Sequence, residues 1–247
     1  MKGYYMKEVI RKILLVIFLG IFLYAAYNLA TIGFKYYKVD KDTKAVKETY
    51  VKQIDDSNDP LKRKIDFTAL KQKNADVVGW LYIPGTKIDE VVLKGANNDT
   101  YLHHNIDKQY SFAGELFVEN VNNANFKDVQ TVIYGHNMKN GSRFHDLRYF
   151  VESDTFKKYN KVYLYLPDGS VNVYTTYVGR VLNANSSLYY NNASYQEVIS
   201  AMQNKAAQVS EVSKEEAPLL MLSTCLTHDD PRRYVLGARL DRNVVIS

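Results

Sequence analysis

"KVYLYLPDGSVNVYTTYVGRVLNA", residues 161–184, decides the fold class. Apolar and aromatic side chains alternate with polar ones on both sides of Pro167-Asp168-Gly169, and that period of two is the signature of a half-buried strand. Pro-Asp-Gly between two such runs predicts a β-hairpin. Working outward, "VQTVIYGHN" (129–137), "APLLMLSTC" (217–225) and "RRYVLGARL" (232–240) read as further buried strands. "GWLYIPGTKIDEVVLK" (79–94) adds two more about a Pro84-Gly85 turn, and "AGELFVEN" (113–120) another. The 21 tyrosines lean the same way, since aromatic rings suit a pleated, half-covered surface. Helical spacing is confined to "DFTALKQKNADVVG" (66–79), where Asp66 is the candidate cap, to "GSRFHDLRYF" (141–150), capped by Ser142, and to Tyr195–Val209. A mainly β domain with peripheral helices, built as a barrel or sandwich, is the expectation.

Before that domain lies a segment of another kind. Ile13 to Phe34 is a run of 22 residues without a formal charge, longer than the about 20 apolar residues a helix needs to cross a bilayer core. A cleaved secretion signal has an apolar core of only about 7–15 residues, and no small-x-small site precedes the lysines here, so the run reads as an uncleaved anchor. Residues 1–12 are then a short tail, 13–34 a transmembrane helix, 35–65 a charged stalk or N-terminal helical region, and 66–247 the working domain. Lys2, Lys7, Arg11 and Lys12 precede the span, but Lys35, Lys38, Lys41, Lys44 and Lys47 follow it, so the positive-inside rule leaves the orientation open. The brevity of the tail before the span favours a cytoplasmic N-terminus. Much of the net charge of +5 sits before residue 35, and the body carries no basic stripe of the kind that tracks phosphates, which argues against a nucleic-acid partner.

The chain has one cysteine, Cys225, at the end of a strand. An intrachain disulfide is therefore excluded, and three fates remain: an inert buried side chain, an intermolecular bridge, or a reactive thiol. A nucleophilic thiol needs a partner that favours the thiolate, and histidine is the usual one. His103 and His104 form a pair in "YLHHNI", and His145 falls on a short helix. His228 makes a C-x2-H pair with Cys225, but one cysteine without companion ligands does not make a structural zinc site. His136 differs from these because it ends a buried strand, where a scaffold holds a side chain at a rim. Arg232 and Arg233 open the strand after the cysteine loop. Successive strand residues point to opposite faces, so only one of the two arginines can face Cys225.

"MLSTC" followed by "RRYVLGARL", with "YGHNMKNGSRFHDLRYF" upstream and an N-terminal anchor, resembles the sortases. The long "YGHNMKNGSRF" block and the helix before the cysteine strand resemble their class B branch. The chain departs from the family's TLxTC pattern by placing Met221 where the first threonine stands. The resemblance spans residues 66–247 and implies an eight-stranded β-barrel, with an extracytoplasmic domain tethered by a single pass at a Gram-positive cell surface. It implies Cys225 as nucleophile, His136 as general acid and base, and Arg233 rather than Arg232 as the family arginine. Asn98 and Leu102 in "NNDTYL", Tyr134, Tyr189, Ser223 and Thr224 are the corresponding candidates for substrate contact, with Tyr190 beside them. The implied reaction cleaves a C-terminal sorting signal of a surface protein after threonine. It proceeds through a thioester acyl-enzyme and transfers the protein to an amine of a peptidoglycan precursor or stem peptide. It needs no metal and no cofactor. Two rivals stand beside this: a pilin-polymerising sortase with a lysine acceptor, and a membrane-tethered binding protein in which Cys225 is inert.

Overall fold

The computed structural model describes residues 2–55, 57–152, 154–190, 193–227 and 229–246. The chain divides into two units, residues 1–43 and 44–247. Helix α1 (Lys2–Tyr50) begins in the first. From Ile13 to Phe34 its large apolar side chains are exposed on every side, which is the surface a helix shows to lipid rather than to a protein core. It is long and apolar enough to cross a membrane by length and composition. The helix runs on past Phe34 through the charged segment as far as Tyr50.

In the second unit, β1 (Val51–Gln53) and β2 (Arg63–Ile65) make a small antiparallel sheet, followed by α2 (Phe67–Lys73). Asp66 caps α2 by accepting a hydrogen bond from the Ala69 amide, as the sequence predicts. The main sheet contains β3 (Val77–Tyr82), β4 (Asp89–Leu93), β5 (Leu116–Val118), β6 (Gln130–Tyr134), β7 (Lys161–Tyr165) and β8 (Ser170–Asn183). It is completed by β9 (Gln208–Val209), β10 (Leu219–Cys225) and β11 (Arg232–Val245). Neighbours follow the order β11-β10-β6-β5-β4-β3-β7-β8, and β8 pairs back with β11, so eight strands close into a barrel. Strand β9 extends the second half of β8 outside the ring. The Pro167-Asp168-Gly169 hairpin is present, with Tyr165 opposite Val171 and Gly169 in the left-handed region at φ +84°.

Three helical expectations change, the first being that the pattern over 66–79 holds only through α2, because Asn74 is extended and Val77 to Gly79 begin β3. The segment 141–150 is not a helix capped by Ser142, because Arg143 sits at φ +56° and breaks any helical path there. The Ser142 hydroxyl instead donates to Asn140, a 3-10 turn occupies His145–Arg148, and only then come α3 (Tyr149–Glu152) and α4 (Thr155–Lys158). The helix predicted over 195–209 ends early, as α5 (Tyr195–Gln203), because Asn204 is extended and Lys205 turns left-handed at φ +56°. Residues 208 and 209 then join the sheet as β9.

Alternation along the strands sorts the core into layers. Leu81, Val92, Leu116, Ile133, Leu164, Leu220 and Leu236 fill the barrel interior, with Phe144, Leu147 and Phe150 packed against them. Outside, one cover lays α2 and the β1–β2 sheet over Trp80, Val91 and Phe117. A second lays α5 and the 3-10 turn Ser187–Tyr189 over Val132, Met221 and Val235. Tyr134 packs against both covers and so marks the seam between them.

The first cover hangs on a buried ion pair. Arg63, 7% exposed, donates from Nη2 to both oxygens of Asp89 at 2.8 and 2.9 Å while its guanidinium lies over the Tyr82 ring. Asp89 also receives the Trp80 indole at 2.7 Å and Lys47 Nζ at 2.6 Å. Asp89→Ala strands the guanidinium without its partner, and unfolding followed through the single tryptophan, Trp80, is expected to show a loss of about 3–5 kcal/mol. A loss below about 1 kcal/mol, the ordinary range for an exposed pair, contradicts the account.

Candidate active site

Strands β6 and β10 run parallel, with Ser223 opposite Tyr134. Two residues further along, on the same face, come Cys225 on β10 and His136 just past β6. Parallel neighbours lie about 4.8 Å apart, so the pairing brings thiol and imidazole to adjacent positions at one rim. On the other side β10 is antiparallel to β11, and Cys225 lies directly opposite Arg233. Arg233 Nη1 donates to Cys225 Sγ at 3.0 Å. Arg232 turns the other way, exposed and bound to Asp230 at 2.7 Å. Three neighbouring strands thus contribute one residue each to the same spot.

The backbone around the spot is fitted closely. Gly135 separates Tyr134 from His136, and a Cβ there would meet Leu116 Cδ2 at 2.4 Å and the Phe144 ring at 2.9 Å, so the strand passes only with glycine. Asn137 Nδ2 donates to the carbonyls of Cys225 and Leu226, each at 3.0 Å, tying the loop after β6 to the loop after β10. The His136 carbonyl accepts from the Phe144 amide at 3.0 Å. Burial holds the His136 imidazole down to about 4, and the nearby His103, Arg143 and Arg233 push the same way. His136 is therefore neutral at neutral pH and able to accept a proton. The exposed His103 ring stands 5.7 Å from it, centroid to centroid.

A cavity opens over this rim, lined by Asn98, Asp99, Leu102, Phe117, Tyr134, Gly135, His136, Cys225 and Arg233. Asn98, Leu102 and Tyr134 are therefore wall residues together with His136, Cys225 and Arg233. Tyr189, Ser223 and Thr224 are not. Ser223 and Thr224 are fully buried, and Tyr189 lies beneath the wall, its hydroxyl 3.0 Å from Ser223 Oγ and its ring stacked on Tyr134. Tyr190 is exposed, and His228 lies outside the described residues. His104 bonds its own loop at the Thr100 carbonyl, and His145 packs on Tyr149. Sequence reading passed over Asn137, although it sits in the "YGHN" block. It also passed over Glu119, which accepts from both Asn98 and Tyr134 and whose signal was an acid placed directly after an apolar strand.

Comparison with known proteins agrees with this architecture. The sortase domain family model matches residues 81–241. Sortase B of Listeria monocytogenes is 30% identical over 237 residues, covering 91% of this chain and 93% of its own length. Sortase B of Staphylococcus aureus is 24% identical over 186 residues, covering 70% of this chain and 74% of its own. The crystal structure of Clostridium perfringens sortase B superposes with a TM-score of 0.65 at 29% identity, over 72% of this chain and all of that one.

The half-buried, neutral imidazole has a pH signature. With a folded value near 4 against an ordinary 6.5, the unfolded chain takes up this proton first as pH falls. The stability contributed is complete above pH 6.5 and is lost as pH falls from 6.5 towards 4, by up to about 3 kcal/mol. Denaturant titrations at several pH values are expected to show this slope in the native chain and a flatter one in His136→Gln. Equal slopes in the two proteins exclude His136 as the source.

Proposed function

The chain belongs to the class B sortases, cysteine transpeptidases, and we propose that Cys225 is its nucleophile, His136 its general acid and base, and Arg233 the cation for developing charge. One observation carries the reading: Arg233 Nη1 lies 3.0 Å from Cys225 Sγ on the face and at the rim that His136 shares. The substrate is the C-terminal sorting signal of a surface protein, cleaved after threonine. His136 takes the Cys225 proton and the sulfur attacks the threonine carbonyl carbon. Negative charge passes to the carbonyl oxygen, beside the Arg233 guanidinium. When the C–N bond breaks, the His136 proton goes to the leaving amine and a thioester remains. An incoming amine of a peptidoglycan precursor or stem peptide loses its proton to His136, attacks the thioester carbon and releases the sulfur.

The cavity residues Asn98, Leu102 and Tyr134 hold the signal peptide, while Tyr189, Ser223 and Thr224 support the wall from behind. Residues 1–12 form a cytoplasmic tail, 13–34 a single membrane pass, 35–65 the connection and 66–247 the catalytic domain outside a Gram-positive cell. The apolar all-round surface of α1 and the long span before the barrel support that arrangement.

Peptide-library cleavage with mass spectrometry of the acyl-enzyme tests the proposal. Cys225→Ala is expected to abolish cleavage and His136→Ala nearly so. Arg233→Ala is expected to raise the barrier by about 2.7–4 kcal/mol, the range for one lost oxyanion donor, while Arg232→Ala stays close to the native rate. A greater loss at Arg232 overturns the assignment of the cation. Full protection of Cys225 from thiol-reactive sulfonates in the folded protein overturns the nucleophile.

A further inference from the structure

Glu119 follows β5, carries no role in the chemistry above, and is only 8% exposed. Each of its carboxylate oxygens takes one donor from a different cavity-wall residue. Asn98 Nδ2 donates to Oε1 at 2.6 Å, and the Tyr134 hydroxyl donates to Oε2 at 2.7 Å. The segment that carries it is fastened on its own account. The Glu119 amide donates to the Val132 carbonyl at 2.9 Å, and Lys94 Nζ donates to the carbonyls of Glu119 and Asn120 at 3.1 and 3.0 Å. Asn98 is fixed from its other side, where Oδ1 accepts from the Asn120 amide at 2.8 Å.

These bonds decide which way each group faces. With its proton committed to Glu119, the Tyr134 oxygen offers only lone pairs elsewhere. The Asn98 amide cannot flip without losing the Asn120 bond, so it retains one N–H to offer. The wall thus carries one fixed acceptor and one fixed donor, the complement of an N–H and a C=O on an extended peptide. We propose that Glu119 is a positioning residue for substrate selection, fixing the hydrogen-bond polarity of Asn98 and Tyr134 towards the backbone of the bound signal peptide. It rests on the preceding reading that these two residues touch the peptide.

Glu119→Gln is nearly isosteric but replaces one of two acceptors with a donor, so it cannot accept from both partners and reverses the hydrogen-bond polarity at one of them. The test uses the full chain in detergent and the best-cleaved peptide of a threonine-centred library. Glu119→Gln is expected to raise KM by about tenfold or more with kcat within about twofold, the pattern of lost ground-state binding. Alkylation of Cys225 by iodoacetamide and Trp80 fluorescence stay as in the native chain. In an Asn98→Ala/Tyr134→Phe background, which itself raises KM, adding Glu119→Gln is expected to change nothing further, because its effect runs through those two residues. An unchanged KM in Glu119→Gln, a full additive effect in that background, or a joint fall in kcat and alkylation each overturns the proposal. If the Asn98→Ala/Tyr134→Phe protein keeps the native KM, the peptide-contact reading fails and the role of Glu119 with it. A raised KM there beside an unaffected Glu119→Gln removes the role of Glu119 alone.

Discussion

The pairing of β8 with β11 closes the barrel, and the site depends on that closure. The ladder runs from Asn183 opposite Arg232 to Ser170 opposite Val245, the length of both strands. Once it is made, β10 is held between β6 and β11, and its two neighbours run in different senses. A parallel neighbour brings two C-terminal ends together, and an antiparallel one brings a C-terminal end to an N-terminal start. The end of β6, the end of β10 and the start of β11 therefore meet at one rim. Side-chain alternation then selects Tyr134 and His136, Ser223 and Cys225, and Arg233 for the same face. No loop has to fold back to bring His136, Cys225 and Arg233 together.

That logic explains what could be read from sequence. The Pro167-Asp168-Gly169 hairpin, the cap at Asp66 and the mainly β character follow from local pattern, and each is present. The alternation rule alone requires Arg232 and Arg233 to point apart, and they do. The choice between them needed either the motif or the register, because the sequence does not state that Cys225 lies opposite Arg233. Closure was likewise illegible to local pattern: β6 and β10 pair across more than eighty residues, and the eight-stranded ring came from resemblance. The helical expectations failed where the backbone leaves the helical region against the spacing. Arg143 takes a left-handed backbone within a buried ion cluster, and Lys205 does so where α5 gives way to β9. Of the substrate candidates, Asn98, Leu102 and Tyr134 line the cavity. Tyr189 and Ser223 stand behind it, bonded to each other, and Thr224 is turned to the opposite face of the strand from Cys225.

The ion cluster at Arg143 supports the histidine loop from below. Its guanidinium is shared by Glu90 and by Glu115, the latter at 3.0 Å, and its Nε donates to the Gly114 carbonyl at 2.9 Å. Its amide donates to Glu90 at 2.9 Å, so backbone and side chain are anchored to one acid. Two carboxylates around one buried cation cannot both be fully compensated. Burial pushes Glu115 up to about 7, against the pull of Arg143 and with the push of Glu90. The segment 136–145 thus begins at the imidazole and ends on a buried charge cluster, with the Phe144 amide bonded back to the His136 carbonyl. His136 is held by its own strand at one end and by this cluster at the other.

The lone thiol gains its meaning from the gradient along its own strand face. Met221 is fully buried beneath α5 in a dry apolar layer. Ser223, the next residue on that face, is buried but hydrogen-bonded to Tyr189, and Cys225 comes next, half-exposed beside a guanidinium. Four residues thus cross from hydrocarbon packing through a polar wall to an open cavity. A threonine at 221 would set a hydroxyl among Met202, Ile199 and Val235, whereas methionine fills that layer with no polar group to satisfy. The departure from the family pattern therefore belongs to the α5 cover and leaves the rim as it is. The same gradient argues against an inert cysteine: a side chain kept for packing belongs two or four residues back, where the strand is dry. Placed where it is, with no second cysteine in the chain to trap it within its own fold, the sulfur borders the cavity that Arg233 and His136 share.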